Sequence, residues 1–178
     1  SSIMVMVIIA VVIVVLLGLS IFYYGRSCRK LQDVIETYWN TIARVYGERL
    51  NQVYVLYNDA VQGGKLEAAE KIERVMNNIA YALKNHTPVN LKVSDDAVIS
   101  IVVPLASSAS LGDGGFSVDS FYTRTHKELL EAVEGYNSAV LEYRNYSKNW
   151  HKLLRLLRQE PHEWVMFEGY ETENVRTP

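Results

Sequence analysis

The sequence predicts an all-α protein in which a single N-terminal transmembrane helix continues into a long antiparallel bundle of three to four helices. Three observations carry this. Residues 3–24, IMVMVIIAVVIVVLLGLSIFYY, contain no Asp, Glu, Lys or Arg. Downstream, apolar residues recur at steps of three and four over long stretches, the mark of a helix with one buried face. Proline is nearly absent from those stretches, with only 4 in the chain.

At about 22 residues and ~1.5 Å per residue, the apolar run reaches roughly 33 Å as a helix, enough for a ~30 Å hydrocarbon core. A cleaved secretory signal would need a basic start, a shorter apolar core and a small-residue cleavage site. No Lys or Arg precedes Arg26, so residues 1–25 are read as a membrane anchor. Arg26, Arg29 and Lys30 follow Tyr24 directly, whereas only Ser1 and Ser2 lie on the other side. The basic flank faces the cytoplasm by the positive-inside rule, so the expected topology is N-terminus out and C-terminus in. Tyr23 and Tyr24 lie at that same end, where amphipathic rings favour the headgroup level.

The first soluble helix takes its stripe from Leu31, Val34, Ile35, Tyr38, Ile42, Val45, Leu50, Val53, Leu56, Tyr57 and Ala60. Gly25 is the one breaker between the span and this stripe, so one rod should run from the bilayer to about residue 61, where Gly63-Gly64 ends it. A second helix is expected over 66–84, with Ala69, Ile72, Val75, Met76, Ile79, Ala82 and Leu83 on one face. The short Gly-Gly connection folds it back antiparallel.

Residues 85–117 read as a loop-rich insertion, punctuated by Pro88, Pro104, Asp95-Asp96, Ser107-Ser108 and Gly112-Asp113-Gly114-Gly115. The β-branched run 97–106 inside it is too short for periodicity to separate strand from helix. A lone strand would have no partner, which favours a short helix ending near Pro104 or an irregular segment. A last long helix is expected from Val118 or Asp119 to Gln159, on a stripe of Leu129, Val133, Tyr136, Val140, Tyr143, Trp150, Leu154 and Leu157, with Ser147 as a polar interruption. The bundle domain thus covers 26–160. Residues 161–178 form an aromatic turn around Trp164 and Phe167 and an acidic tail whose end should fray.

Of the 178 residues, about 150 remain for one ordinary domain once the anchor is set aside. The 18 Lys and Arg and 20 Asp and Glu all lie there and give a net charge of −2, too near neutrality for a nucleic-acid surface. The single cysteine, Cys28, excludes a disulfide framework and a cysteine-based metal site. Its juxtamembrane place permits palmitoylation, but that pattern is loose, and an ordinary cysteine is the favoured reading. His86, His126, His151 and His162 share no metal spacing. Gly112-Asp-Gly-Gly lacks the Gly-Lys-Ser/Thr of a phosphate loop and reads as a turn. Pairs such as Glu67 with Glu70 and Glu128 with Glu131 read as solvated faces, because the Glu-x-x-His of a carboxylate-bridged metal bundle is missing. Most of the 12 tyrosines fall on or beside the stripes and are expected in the core with hydroxyls at its rim. Asn85-His-Thr and Asn145-Tyr-Ser are sequons by pattern, unused if the bundle is cytoplasmic.

The order Trp39, Ile42, Arg49, Leu56, then Tyr136-Asn137-Ser-Ala139-Val140-Leu-Glu-Tyr143, Trp150 and a late Phe167-Glu168 resembles the LemA family of bacterial proteins. The matched stretches cover about half the chain. Departures make it a divergent relative: Tyr24-Gly25 stands where the family has Tyr-Asn, residues 53–57 replace Ile-Pro-Asn-Leu-Val, and Tyr143-Arg144 replaces the second Tyr-Asn. The resemblance implies one N-terminal span, a LemA-like long-helix bundle and a bacterial inner membrane. It marks Trp39, Arg49, Leu56, Tyr136, Asn137, Tyr143, Trp150 and Phe167 as core or partner-face positions.

No nucleophile, base and oxyanion set can be assembled from these residues, so no catalytic residue, metal or cofactor is expected. The favoured reading is a non-enzymatic, membrane-anchored scaffold or accessory subunit of a membrane assembly. Its partners would be the lipid bilayer and other membrane proteins, or further copies of the chain. The alternative is a ligand-sensing or small-molecule-binding membrane protein, with the Gly-rich loop over a pocket at the bundle end.

Overall fold

A computed structural model describes residues 1–170, and all regular structure among them is helical. The acidic tail beyond Tyr170, with its expected fraying, lies outside the described residues. Helix α1, Ser2–Gln62, is a single helix of 61 residues, continuous through Gly25. A Schellman motif closes it: Lys65 N–H bonds to Ala60 C=O at 2.9 Å and Gly64 N–H to Val61 C=O at 3.2 Å. The motif needs a left-handed residue, which Gly64 supplies at φ 71°.

Helix α2, Leu66–Lys84, buries Ala69, Ile72, Val75, Ile79 and Ala82, the face its spacing predicts, with Met76 and Leu83 half-buried at its edge. It too closes on a left-handed residue, His86 at φ 49°, with Thr87 N–H on Ala82 C=O at 3.1 Å.

The segment expected to be loop-rich is mostly helical. Helix α3 is Pro88–Ala97, a π-helical turn follows at Val98–Val102, and helix α4 is Val103–Ser108. The prolines cause this rather than prevent it. Pro88 sits in the first turn of α3, where its missing N–H is not needed. Pro104 cannot donate to the carbonyl four residues back, and its ring crowds that carbonyl. The helical path therefore widens instead of ending: Val103 N–H bonds to Val98 C=O, five residues back. Ser110 at φ 59° then closes α4, with Leu111 N–H on Ala106 C=O at 3.0 Å.

The last long helix differs at both ends from its expected bounds. Helix α5, Gly114–Tyr146, begins inside the glycine cluster. It breaks at Ser147, whose hydroxyl donates to Tyr143 C=O at 2.5 Å. Such a back-bond bends a helix, and helix α6, Lys148–Leu156, follows as a separate element. Arg158 at φ 59° ends it, with Gln159 N–H on Leu154 C=O at 2.8 Å. Leu157, expected on the stripe, is 62% exposed.

The chain divides into two compact units. One comprises Ser1–Glu36 and Ser138–Trp164, the other Thr37–Asn137 and Val165–Pro178. In the first, α1 and α5 run antiparallel, since Gln32 meets Tyr143 and Tyr24 meets Tyr146. In the second they are also antiparallel, with Trp39 beside Tyr136, Arg44 paired to Glu128 and Arg49 bonded to Tyr122. The second unit holds the larger core, including Ile42, Val53, Leu56, Ile72, Ile79, Leu91, Val102 and Leu129.

Candidate functional site

Arg49 occupies a position on α1 where the stripe meets α3 and α5, and it is 3% exposed. A buried guanidinium must have every donor matched to be tolerated. Here Nη1 donates to Asp95 Oδ2 at 2.7 Å, Nε to Thr125 Oγ1 at 3.0 Å and Nη2 to Tyr122 C=O at 3.0 Å. The ring of Tyr122 lies 4.2 Å from the guanidinium carbon, in range for a cation–π contact. One arginine thereby ties three helices together.

The carboxylate side of this knot is less complete. Asp95 Oδ1 and the Tyr122 hydroxyl are buried, and neither has a hydrogen-bond partner of good geometry among the described residues. Burial pushes the Asp95 carboxyl up to about 6, against the pull of Arg49. Burial likewise raises the Tyr122 and Tyr46 hydroxyls, with the Asp95 charge adding to it. The knot opens on a cleft of about 520 Å³ lined by Arg49, Asp95, Asp96, Ile99, Ser100, Asp119, Tyr122, Thr123 and His126. Ile99 and Ser100 reach it from the π-helical turn, a distortion that recurs at functional sites. No group of three or more His, Cys, Asp or Glu among the described residues could hold a metal ion.

In the same unit, three of the family-like positions meet around the C-terminal segment. Asn137 brackets Phe167: its Nδ2 donates to Phe167 C=O at 2.9 Å, and its Oδ1 accepts Phe167 N–H at 2.8 Å. The Tyr136 hydroxyl donates to Val165 C=O at 2.8 Å. Trp39 packs near both Tyr136 and Phe167, and its other neighbour is His86, stacked at 4.2 Å. The hydroxyls of Tyr46 and Tyr170 also bond to each other. Leu56, 1% exposed, fills the space left by Gly114, where an added Cβ would lie 2.5 Å from Leu56 Cδ1. The Gly-rich turn is therefore a packing device, and it does not line the cleft.

In the first unit, Tyr143 is buried and its hydroxyl bonds to Gln32 Nε2 at 2.6 Å and His151 Nε2 at 2.9 Å. Burial raises the Tyr143 hydroxyl and lowers His151. Trp150 is half-buried and lies flush on Gly25, where a Cβ would be 2.6 Å from its Cη2. Its backbone N–H donates to the Tyr24 hydroxyl at 3.2 Å, and that hydroxyl donates to Tyr146 C=O. Cys28 is fully buried, and burial raises its thiol, so an acyl chain has no access to it.

Seven of the eight family-like positions are thus buried, and Trp150 is half-buried. Sequence reasoning marked Arg49 but missed Asp95, Tyr122 and Thr125. A basic residue at a stripe position is the one signal that could have prompted a search for a carboxylate partner.

Among the described residues all regular structure is helical, and one helix, α1, is long and apolar enough to cross a membrane, with its apolar stretch fully exposed. No family model matches the chain, and no curated protein or solved structure matches it significantly.

Proposed function

We propose that this chain is a divergent LemA-like protein, anchored by residues 3–24 with the N-terminus outside, whose helical domain serves in the cytoplasm as a non-enzymatic scaffold or accessory subunit of a membrane assembly. A bacterial inner membrane suits that resemblance. The observation that carries the reading is the continuity of α1, whose fully exposed apolar end runs unbroken into an amphipathic helix. A span that continues as the domain's own first helix joins domain and bilayer without a separate linker, which suits a scaffold. Trp39, Tyr136, Asn137 and Phe167, four of the positions that carry that resemblance, lie far apart in sequence and act as one clasp. Exposed Tyr54 and Val55, at 51% and 57%, offer a surface for a partner or a second copy.

Cross-linking in native membranes, followed by mass measurement in mild detergent, tests this. Reproducible cross-links to one partner or to a second copy are expected. A lone monomer in both preparations would contradict it.

A second reading, a small-molecule binder, is favoured by the cleft that Asp95 and Tyr122 line, where Asp95 Oδ1 and the Tyr122 hydroxyl are buried without a hydrogen bond of good geometry among the described residues. A saturating ligand at ~100 times its Kd would add about 2.7 kcal/mol of stability. Titration of candidate metabolites with a thermal-unfolding readout distinguishes the two, because a scaffold shows no such shift.

A further inference from the structure

We infer that α6 is an interfacial helix that binds the anionic phospholipid surface around the membrane span. This rests on residues 3–24 crossing the bilayer, as proposed above, and adds a lipid class and a second contact element to that reading.

Depth comes first. Tyr24 is the last apolar residue of the run, and its hydroxyl both accepts the Trp150 N–H and donates to Tyr146 C=O. Trp150 lies flush on Gly25. The first turn of α6 is thereby fixed to the end of the span, at the level where a bilayer meets water.

The composition of α6 suits that level. Trp150, Leu153, Leu154 and Leu157 share one face at steps of three and four, and Lys148, Lys152 and Arg155 share the other. No residue of this helix is buried, and Leu156 and Leu157 at its end are 81% and 62% exposed. Leu157 continues the apolar face past the last turn, and an interfacial helix sinks such a face to the acyl boundary and leaves its basic face at the headgroups.

Charge selects the lipid. Arg26, Arg29 and Lys30 on α1 belong to the same unit as Lys148, Lys152 and Arg155. None of the six forms an ion pair among the described residues. Glu160 and Glu163 border Arg155 without pairing to it. Six cations at one end of a membrane span complement an anionic leaflet, and such juxtamembrane charges act additively within a Debye length of the surface.

The test uses the full chain in nanodiscs of phosphatidylcholine, alone or mixed with phosphatidylglycerol, with amide hydrogen exchange of residues 148–157 as readout. Exchange is expected to slow at least ~10-fold in the anionic discs, and K148Q/K152Q/R155Q to abolish the difference. These exposed substitutions leave the fold intact. Equal exchange in both discs, or a difference that survives the triple variant, would overturn the inference. So would protection reproduced by free inorganic phosphate in neutral discs, which identifies an anion site, or protection found only in native membranes, which identifies a protein partner. Rapid exchange of residues 3–24 in both discs would sink the spanning reading itself, a result distinct from unchanged α6 in a protein whose span is protected.

Discussion

The two units use charge in opposite ways. In the unit built on Thr37–Asn137, Arg49 is sunk among three helices and each of its three guanidinium nitrogens donates to an acceptor. In the unit that carries the apolar run, Arg26, Arg29, Lys148 and Lys152 stay exposed and make no ion pair among the described residues. The first arrangement spends its charges on one internal geometry. The second keeps them available to something outside the chain. Substitutions in the two units should accordingly differ in kind, with folding affected in one and surface binding in the other.

The largest effect is expected from Arg49→Met, which leaves Asp95 buried without its cation. Breaking such a pair costs roughly 3–5 kcal/mol, measurable as a lowered denaturation midpoint. Removal of the Arg49 charge also removes the main force holding the Asp95 carboxyl down, so Asp95 should titrate higher in this variant. Restoring stability with a second change, Asp95→Leu, would confirm that the loss came from the stranded carboxyl.

Next is the pH response of the native chain. The folded Asp95 titrates near 6, above its ordinary value of 3.8. Between about pH 4 and 6 the folded state therefore holds the Asp95 proton more tightly than the unfolded state does, and its contribution to stability falls as pH rises through that window. The contribution is complete below pH 4 and lost above 6, and a shift of this size is worth at most a few kcal/mol. Comparing unfolding of the wild type and Asp95→Asn across this range isolates it, since the variant lacks that slope.

Smaller still is Asn137→Ala, which strands the N–H and C=O of Phe167. About 1–3 kcal/mol is at stake, and the loss should be local, read as faster exchange of the Phe167 amide with the α2 amides unchanged. The smallest effect belongs to the other unit: K148Q/K152Q/R155Q should move the thermal midpoint little, by no more than ~0.5 kcal/mol equivalent. A large loss of stability there would erase the contrast between the units.

The unequal legibility of the sequence follows the same division between local and distant causes. Helices α1 and α2 were readable because long stripes at steps of three and four encounter no proline, and Gly63-Gly64 marks the reversal in the sequence itself. The 88–108 segment was not, because a proline signals a break unless its place within a helix is known. Pro88 in a first turn and Pro104 after a π-helical turn are both compatible with helix. Ser147 stood out only as a polar residue on an apolar stripe, whereas its back-bond to Tyr143 is what divides α5 from α6. Arg49 was visible as a family-like position, but its partner Asp95 is 46 residues away, and no local pattern links them. Asp95-Asp96 read as punctuation in a loop. The clasp of Asn137 on Phe167 spans 30 residues, and its two halves were legible only as separate motifs.

Everything proposed for this chain depends on one helix serving both as membrane span and as the first helix of the domain. A spin-label accessibility scan from Leu16 to Glu36 in nanodiscs tests this most directly. The account predicts lipid-side accessibility on all faces up to Tyr23, then a helical period of about 3.6 residues that continues without a phase break through Gly25. Loss of that periodicity around Gly25, or water accessibility before Tyr24, would contradict it.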